Sequence, residues 1–287
     1  MGSKTNIEWT DSTWSPMRGC SRVSRGCDNC YAMRFAHRFN TPSETSPFHG
    51  LTLVRDGHLD WSGEVRLVPS ALSVPLKWTR PRDVFVNSQS DTFARAARYA
   101  TPIFGVMAAC QRHRFQVLTK RPGGALDWAR RVEDEANSRG ISCPQVCMTR
   151  AVGYGVAIRD AATDPGWPLP NVMLGVSVED QEQAEVRVPL LMKMPAALRF
   201  LSCEPLLGPL DLRRWLARGP DGSPQIAWVI VGGESGPGSR EMRQEWVASV
   251  RDQCQEAGCK FFFKQWGGVN KSATGRVLEG RTWSERP

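Results

Sequence analysis

The sequence predicts an α/β fold: a parallel (β/α) barrel, partial or complete, of six to eight strands. Three observations carry this prediction. Short runs of apolar, β-branched and aromatic residues recur along the chain; segments long enough for a helix separate them, with apolar residues three or four apart; and a polar cluster closes each run. Strands with continuous apolar character read as buried on both faces, which is the mark of a parallel sheet covered by helices.

Along the chain, IEW near residue 8 and EVRLV (64–68) are the weaker strand candidates, and between them residues 41–63 read as a loop insertion with a hairpin turning at Asp56-Gly57. DVFVNS (83–88) and RFQVLTK (114–120) flank a helix over ARAARYATPIFGVMAACQRH, and GGALDWARRVEDEANSR is the next helix. Residues 140–170, rich in glycine, proline and small residues, read as a second loop insertion. NVMLGVSVED (171–180), RFLSCEP (199–205), WVIVGGES (228–235) and KFFFKQW (260–266) complete the strands. Helices are expected over DQEQAEVRVPLLMKM and EMRQEWVASVRDQCQEAG, with Pro102 and Pro189 near a helix start or breaking a helix. Residues 1–266 are expected to form a single barrel domain, followed by a polar tail over 267–287.

No run of 18 apolar residues is present and the N-terminus lacks a basic-then-apolar leader, so the expectation is a cytoplasmic protein without membrane contact. Nine cysteines in that compartment are free thiols, metal ligands or nucleophiles rather than a disulfide framework. A net charge of +8 and a pI near 9.2 favour a polyanionic partner, with nucleic acid or a nucleotide first among them. Of eleven tryptophans, Trp14, Trp61, Trp266 and Trp283 stand in loop-like contexts where a ring can stack on a base.

In a parallel barrel all strand C-termini open on one face, where substrate sites are built. The residues placed there are Asn87, Ser88, Ser90 and Asp91, then Thr119, Lys120 and Arg121, then Ser177, Glu179 and Asp180. The later strands add Ser202, Cys203 and Glu204, then Gly232, Gly233, Glu234 and Ser235, then Lys264, Gln265 and Trp266. Some of these are helix caps. Glu179, Glu204, Glu234 and Lys264 are the preferred cavity residues, because a carboxylate there can hold an ammonium or a ribose hydroxyl. Lys120 and Arg121 suit a phosphate or carboxylate.

The stretch WSPMRGCSRVSRGCDNCYA (14–32) places Cys20, Cys27 and Cys30 at the spacing C-x6-C-x2-C. A structural zinc site takes four ligands, usually as two close pairs, so it would need a distant fourth; a catalytic zinc needs only three but seldom an all-cysteine set. An iron–sulfur cubane fits three thiolates with one iron left open. Gly19 and Gly26 each precede a cysteine, and Arg18, Arg22 and Arg25 bring positive charge to the loop. Cys143 and Cys147 form a C-x3-C pair that can be incidental or a second metal site, and Cys110, Cys254 and Cys259 read as helix thiols.

That loop, with VFVNSQSDTF, LTKRP, LGVSVEDQEQA, RFLSCEPLLGPLDL, IVGGESGPGSR and FFFKQWGG, resembles a phage-associated three-cysteine-motif family of largely unknown function. Its members look like divergent relatives of the radical S-adenosylmethionine enzymes, spore photoproduct lyase among them. The resemblance implies a radical-enzyme-like barrel whose Cys20, Cys27 and Cys30 hold a [4Fe–4S] cluster. It also implies binding of S-adenosyl-L-methionine, a 5′-deoxyadenosyl radical, and base modification or repair of DNA or RNA. An electron donor of the reductase or flavodoxin type and a further protein partner would accompany that chemistry. On this reading Tyr31, Asn87, Ser88, Asp91, Lys120, Glu179, Gly232, Gly233 and Glu234 bind the cofactors, and Cys203, Glu204 and Lys264 are catalytic. Two features depart from the commonest radical-enzyme pattern. The first gap is six residues instead of three, with Asn29 before the last cysteine where an aromatic is usual. The Gly-Gly-Glu element also lies far downstream, at 232–234.

Overall fold

The computed structural model describes residues 5–159, 164–219, 222 and 224–287. Seven strands form the main sheet: β1 (Ser12–Trp14), β2 (Asp83–Val86), β3 (Arg114–Thr119), β4 (Val172–Ser177), β5 (Leu198–Cys203), β6 (Trp228–Gly232) and β7 (Lys260–Gln265). They lie side by side in chain order, an open series from β1 to β7, and the pairs β1–β2, β2–β3, β5–β6 and β6–β7 are parallel. The longer helices are α1 (Tyr31–Arg38), α2 (Ala100–Ala108), α3 (Pro122–Arg139), α4 (Cys143–Gly153), α5 (Gln181–Lys193) and α6 (Gln244–Ala257). All six residues of β4 and all five of β6 are buried, as their unbroken apolar runs require. Among the described residues no helix is long and apolar enough to cross a membrane.

The chain divides into two compact units: residues 1–22, 32–174 and 194–197 make the first, and 23–31, 175–193 and 198–287 the second. In the first unit β1, β2 and β3 are backed by a core that includes Trp14, Val84, Val86, Phe115 and Val117, all fully buried. Helix α3 begins with Pro122 in its first turn and stops at Gly140, whose φ of +61° is open to glycine. Gly105 in the middle of α2 has a packing reason, since a Cβ there would stand 2.1 Å from the Cys147 carbonyl of α4. In the second unit Phe200, Trp228, Val229, Ile230, Phe261, Phe262 and Phe263 form the core, and α6 ends at Gly258 with φ +69°.

Several expectations are corrected. The first sheet strand is Ser12–Trp14 and not IEW, and Arg66–Leu67 pairs antiparallel with Met17–Arg18, outside the parallel sheet. Trp14 is no loop residue: it is fully buried and its indole N–H donates to the Ala71 carbonyl at 2.8 Å. Trp61 is a buried strand residue and Trp283 is buried as well. Within the described part of 140–170, α4 stands where a loop insertion is expected. Ser142 and Gln145 form a capping box that starts it, a local signal that glycine and proline content hides. Pro189 lies inside α5 without ending it; the carbonyl left without a donor belongs to Glu185, an exposed residue where water can serve.

The hairpin at 41–63 forms as Thr52–Arg55 and His58–Trp61, with Asp56 and Gly57 both at positive φ, the pair a tight I′ turn demands. The tail also has structure. Phe263 N donates to Trp283 O and Glu285 N to Phe261 O, so residues 283–285 cover the outer edge of β7.

Candidate functional site: a loop of three cysteines held by strand ends

The second unit carries Cys27 and Cys30 on a tight loop. Arg25–Cys27 make one turn of 3₁₀ helix, and Cys30 N donates to Cys27 O at 3.3 Å. Two carboxylates at strand ends hold this turn. Glu179, two residues past β4, is fully buried and accepts from Arg187 Nη1 at 2.8 Å and Nη2 at 3.3 Å; Arg187, on α5, also donates to Ser177 O. The Ser24 hydroxyl donates to the same carboxylate. A Cβ on Gly26 would lie 2.8 Å from Glu179 Oε1, so only glycine lets the loop come this close.

Glu234, after β6, holds the other side. Its Oε2 accepts from Asn29 Nδ2 at 2.9 Å and from the Arg240 amide and Nε, each at 3.0 Å, and its Oε1 accepts from Arg240 Nη2 at 2.6 Å. Arg240 reaches on to Asp28 Oδ2 at 3.2 Å and to the Arg25 carbonyl at 2.9 Å. Burial pushes the Glu234 carboxyl up, but the Arg240 guanidinium and amide and Asn29 outweigh it, so the group is held below the ordinary glutamate value. The same pair raises the guanidinium of Arg240. Glu234 is thus saturated by protein donors, and its work is to fasten the Asp28-Asn29 turn between the last two cysteines.

Gly232 and Gly233 are close-approach positions. A Cβ on Gly232 would meet Glu204 Oε1 at 2.4 Å, and one on Gly233 would meet the Trp266 carbonyl at 1.9 Å. Glu204 at the end of β5 and Lys264 of β7 form a pair, with Nζ 3.3 Å from Oε1 and 3.4 Å from Oε2; both side chains keep less than a fifth of their surface exposed. Cys203 is fully buried, and burial pushes its thiol up. Its thiol neighbours are Cys259 and, beyond it, Cys254, which are hydrogen-bonded to each other and likewise buried.

The first unit carries Cys20 and fixes its neighbours through backbone carbonyls and hydroxyls, with Arg121 and Arg22 as charged donors. Asn87, at φ +59° past the end of β2, donates its amide to Trp14 O at 2.7 Å, accepts from Met17 N at 3.3 Å and donates to Thr92 Oγ1 at 2.8 Å. Ser88 pairs with Ser15 at 3.2 Å, and the Ser90 hydroxyl donates to Gly19 O at 2.5 Å. Gly19 has φ +86°, and a Cβ on it would stand 2.1 Å from the Glu64 carbonyl. Asp91 binds the Thr119 hydroxyl at 2.8 and 2.9 Å and the Lys120 amide at 2.9 Å. Arg121 follows, and its Nη2 donates to Ser21 O and Ser21 Oγ, both at 2.7 Å. Arg22 donates to Asp60 at 2.8 Å and to Leu59 O at 2.9 Å.

Of the expected cofactor residues, Asn87 and Ser88 bind Trp14, Met17 and Ser15, and Glu179 and Glu234 bind Ser24 and Asn29, all in the 14–32 stretch. Asp91 instead binds Thr119 and the Lys120 amide, and Tyr31 is 59% exposed. Sequence reading missed Arg187, Arg240, Ser24 and Asn29. A usable signal existed for Arg187: a lone arginine in VRVPLL has to bury its charge, and Glu179 lies eight residues before it.

Of the nine cysteines, Cys20, Cys27, Cys30 and Cys143 are half-buried and the other five are buried. Among the described residues no three His, Cys, Asp or Glu side chains converge on a metal-sized site. The chain matches, over residues 4–287, the family described as protein of unknown function (DUF5131). No curated protein and no solved structure matches it.

Proposed function

The chain belongs to the DUF5131 family of proteins of unknown function; from its three-cysteine loop we propose that it is a radical S-adenosylmethionine-like iron–sulfur enzyme acting on nucleic acid or a nucleotide. The observation that carries this reading is the state of the thiols. Three of the four half-buried cysteines share one loop of eleven residues, and strand-end side chains fasten that loop; the fourth, Cys143, stands on α4, and the other five are buried. A thiol kept in the core is inert; one kept near solvent on a fastened loop is a ligand in waiting. What supports a cluster is the number of thiols on the loop, three without a fourth. That is the donor count a [4Fe–4S] cluster with one open iron would take, although the three side chains do not converge in this structure.

Cys20, Cys27 and Cys30 would hold such a cluster, which, given an electron from a reductase or flavodoxin-type donor, would supply reductive cleavage of S-adenosylmethionine and hydrogen-atom abstraction from the substrate. The chain's own residues do the positioning. Glu234 and Arg240 hold the turn of Cys27 and Cys30; Glu179 and Arg187 hold Ser24; Ser90 and Arg121 hold Gly19 and Ser21 on either side of Cys20. Glu204 and Lys264, paired at strand ends, are the proposed groups for holding a proton near the substrate. Cys203, fully buried, lacks the access that hydrogen-atom donation needs, and the proposal does not use it. Net charge +8 supports a nucleic-acid substrate.

Anaerobic reconstitution with iron and sulfide tests the cofactor. Brown protein, lost in Cys27→Ala and retained in Cys143→Ala, is expected, and reductant with S-adenosylmethionine should then yield 5′-deoxyadenosine. A cluster without that product removes the radical step. Colourless protein with stoichiometric zinc, binding DNA or RNA with steep salt dependence, would replace the enzyme by a metal-stabilised nucleic-acid-binding protein.

A further inference from the structure

We propose that the exposed face formed by Phe35, Phe39 and Phe48 is a stacking platform for single-stranded nucleic acid. The proposal deepens the reading above by placing contacts to a nucleic-acid substrate, and its test does not need the cluster. Helix α1 buries Ala32, Met33 and Ala36, so its opposite face looks outward. On that outward face stands Phe35, 38% exposed, and Phe39, which continues the turn with its amide on Phe35 O, is 44% exposed. Phe48, from the loop that follows, joins them: ring centroids lie 4.6 Å apart for Phe35–Phe39, 5.8 Å for Phe35–Phe48 and 6.0 Å for Phe39–Phe48. Three rings have gathered, yet two keep more than a third of their surface in water. Burial of that apolar area would have been favourable, and the chain leaves it open.

Charge selects the occupant. Arg38, an exposed residue, places its guanidinium 5.8 Å from the Phe39 centroid. Arg18 lies 5.4 Å from that of Phe48 but is half-buried and donates to the Ser15 and Met17 carbonyls, so it braces the ring and Arg38 is the arginine open to a phosphate. No acidic residue occurs in α1, YAMRFAHR, which adds Arg34 and His37. Arginine interleaved with aromatic rings is the combination that binds a single strand, rings taking the bases and guanidiniums the phosphates. The rings are tilted 38–66° to one another, so they offer separate faces rather than one flat apolar plane for a lipid surface. A duplex, whose bases are already stacked, has nothing to offer these rings.

The test is fluorescence anisotropy with fluorescein-labelled oligothymidine of about 16 nucleotides, on the full chain as purified, over a salt series. Phe35→Ala/Phe39→Ala is expected to weaken binding on the order of 100-fold, about 10-fold per ring, with the salt slope unchanged. Phe35→Tyr/Phe39→Tyr should keep the wild-type affinity, which separates stacking from a fold defect. Arg38→Gln should lower the salt slope by about one. Equal binding by wild type and the Ala variant overturns the platform and leaves the nucleic-acid substrate standing. No binding by wild type overturns the platform and, with it, a single-stranded DNA substrate. Equal affinity for a matched duplex, or loss of binding to anionic vesicles or of self-association in the Ala variant with oligothymidine binding intact, assigns the face to another occupant and overturns the proposal.

Discussion

The two units hold their parts of the cysteine loop by different physics. Around Cys20 the first unit uses neutral acceptors and close backbone approach. Gly19 and Ser21 offer carbonyls to Ser90 and Arg121, and Gly19 packs against the Glu64 carbonyl. Around Cys27 and Cys30 the second unit uses carboxylates, each locked by an arginine from its own unit: Glu179 by Arg187 and Glu234 by Arg240. A hold on backbone carbonyls and a closely packed glycine depends mainly on shape, even where an arginine is the donor. A charged hold depends on ionisation, and losing one partner leaves the other as a buried, uncompensated charge. The contrast can be broken at four points of decreasing cost.

Arg187→Ala should cost most. Both members of the Glu179–Arg187 pair are buried, so truncating the arginine strands a carboxylate in the core at about 3–5 kcal/mol. Chemical denaturation measures it. Arg187→Met combined with Glu179→Gln should recover much of the loss, because the double change removes the charge as well as the partner. If the single variant is nearly neutral, the carboxylate is not held by charge and the contrast fails.

Gly19→Ala probes the neutral side. The new Cβ meets a backbone carbonyl at 2.1 Å and the residue must keep a φ of +86°, so a cost of about 2–4 kcal/mol is expected. Gly26→Ala meets the tip of the Glu179 side chain at 2.8 Å instead and should cost less, and its added cost should nearly vanish when measured in a Glu179→Ala background that is itself destabilised. Thermal melts of these variants separate a backbone clash from a side-chain one.

These positions also show what a sequence can reveal. The polar ends of the strands were legible because each follows an unbroken apolar run, and Asn87, Asp91, Glu179, Glu204 and Glu234 all stand where that pattern puts them. Their work was not legible. A carboxylate after a strand looks the same in sequence whether it awaits a ligand or fastens a loop more than 150 residues earlier, as Glu179 does Ser24. The donors that decide it, Arg187 eight residues on and Arg240 six residues on, become neighbours only when helix and loop fold back. The sheet itself was readable from periodicity, whereas α4 was not, because composition conceals a capping box. The first strand escaped because Ser12–Trp14 is three residues long, too short for any period to show.

Glu234→Gln tests ionisation with little change of shape. The Glu234 carboxyl is held below its ordinary value of 4.5, so its contribution is complete above that pH and is lost as pH falls through the lower folded value. At neutral pH the substitution should cost about 1–3 kcal/mol, the worth of charge-assisted hydrogen bonds in a buried setting. Below pH 4.5 the difference from wild type should shrink. A gap that stays constant down through that range would mean that Glu234 is not the titrating member, and that the second unit holds its turn by shape as the first does.

The smallest effect belongs to Asp28→Asn. Its carboxylate meets Arg240 at 3.2 Å but is half exposed, so water and salt screen the pair and its worth to stability is under about 1 kcal/mol. Global unfolding should hardly register it. Arg240 also donates to the Arg25 carbonyl and to Glu234, so the guanidinium keeps its place when Asp28 loses its charge. The local consequence should be visible at Arg25 itself, where trypsin cleavage in the native protein reports opening of the turn. Asp28→Asn should change that rate little, and Glu234→Gln should raise it several-fold with the same enzyme and buffer. Equal rates in the two variants would place the strength of the hold on the exposed rim instead of on the buried carboxylate, reversing the order of importance that burial assigns.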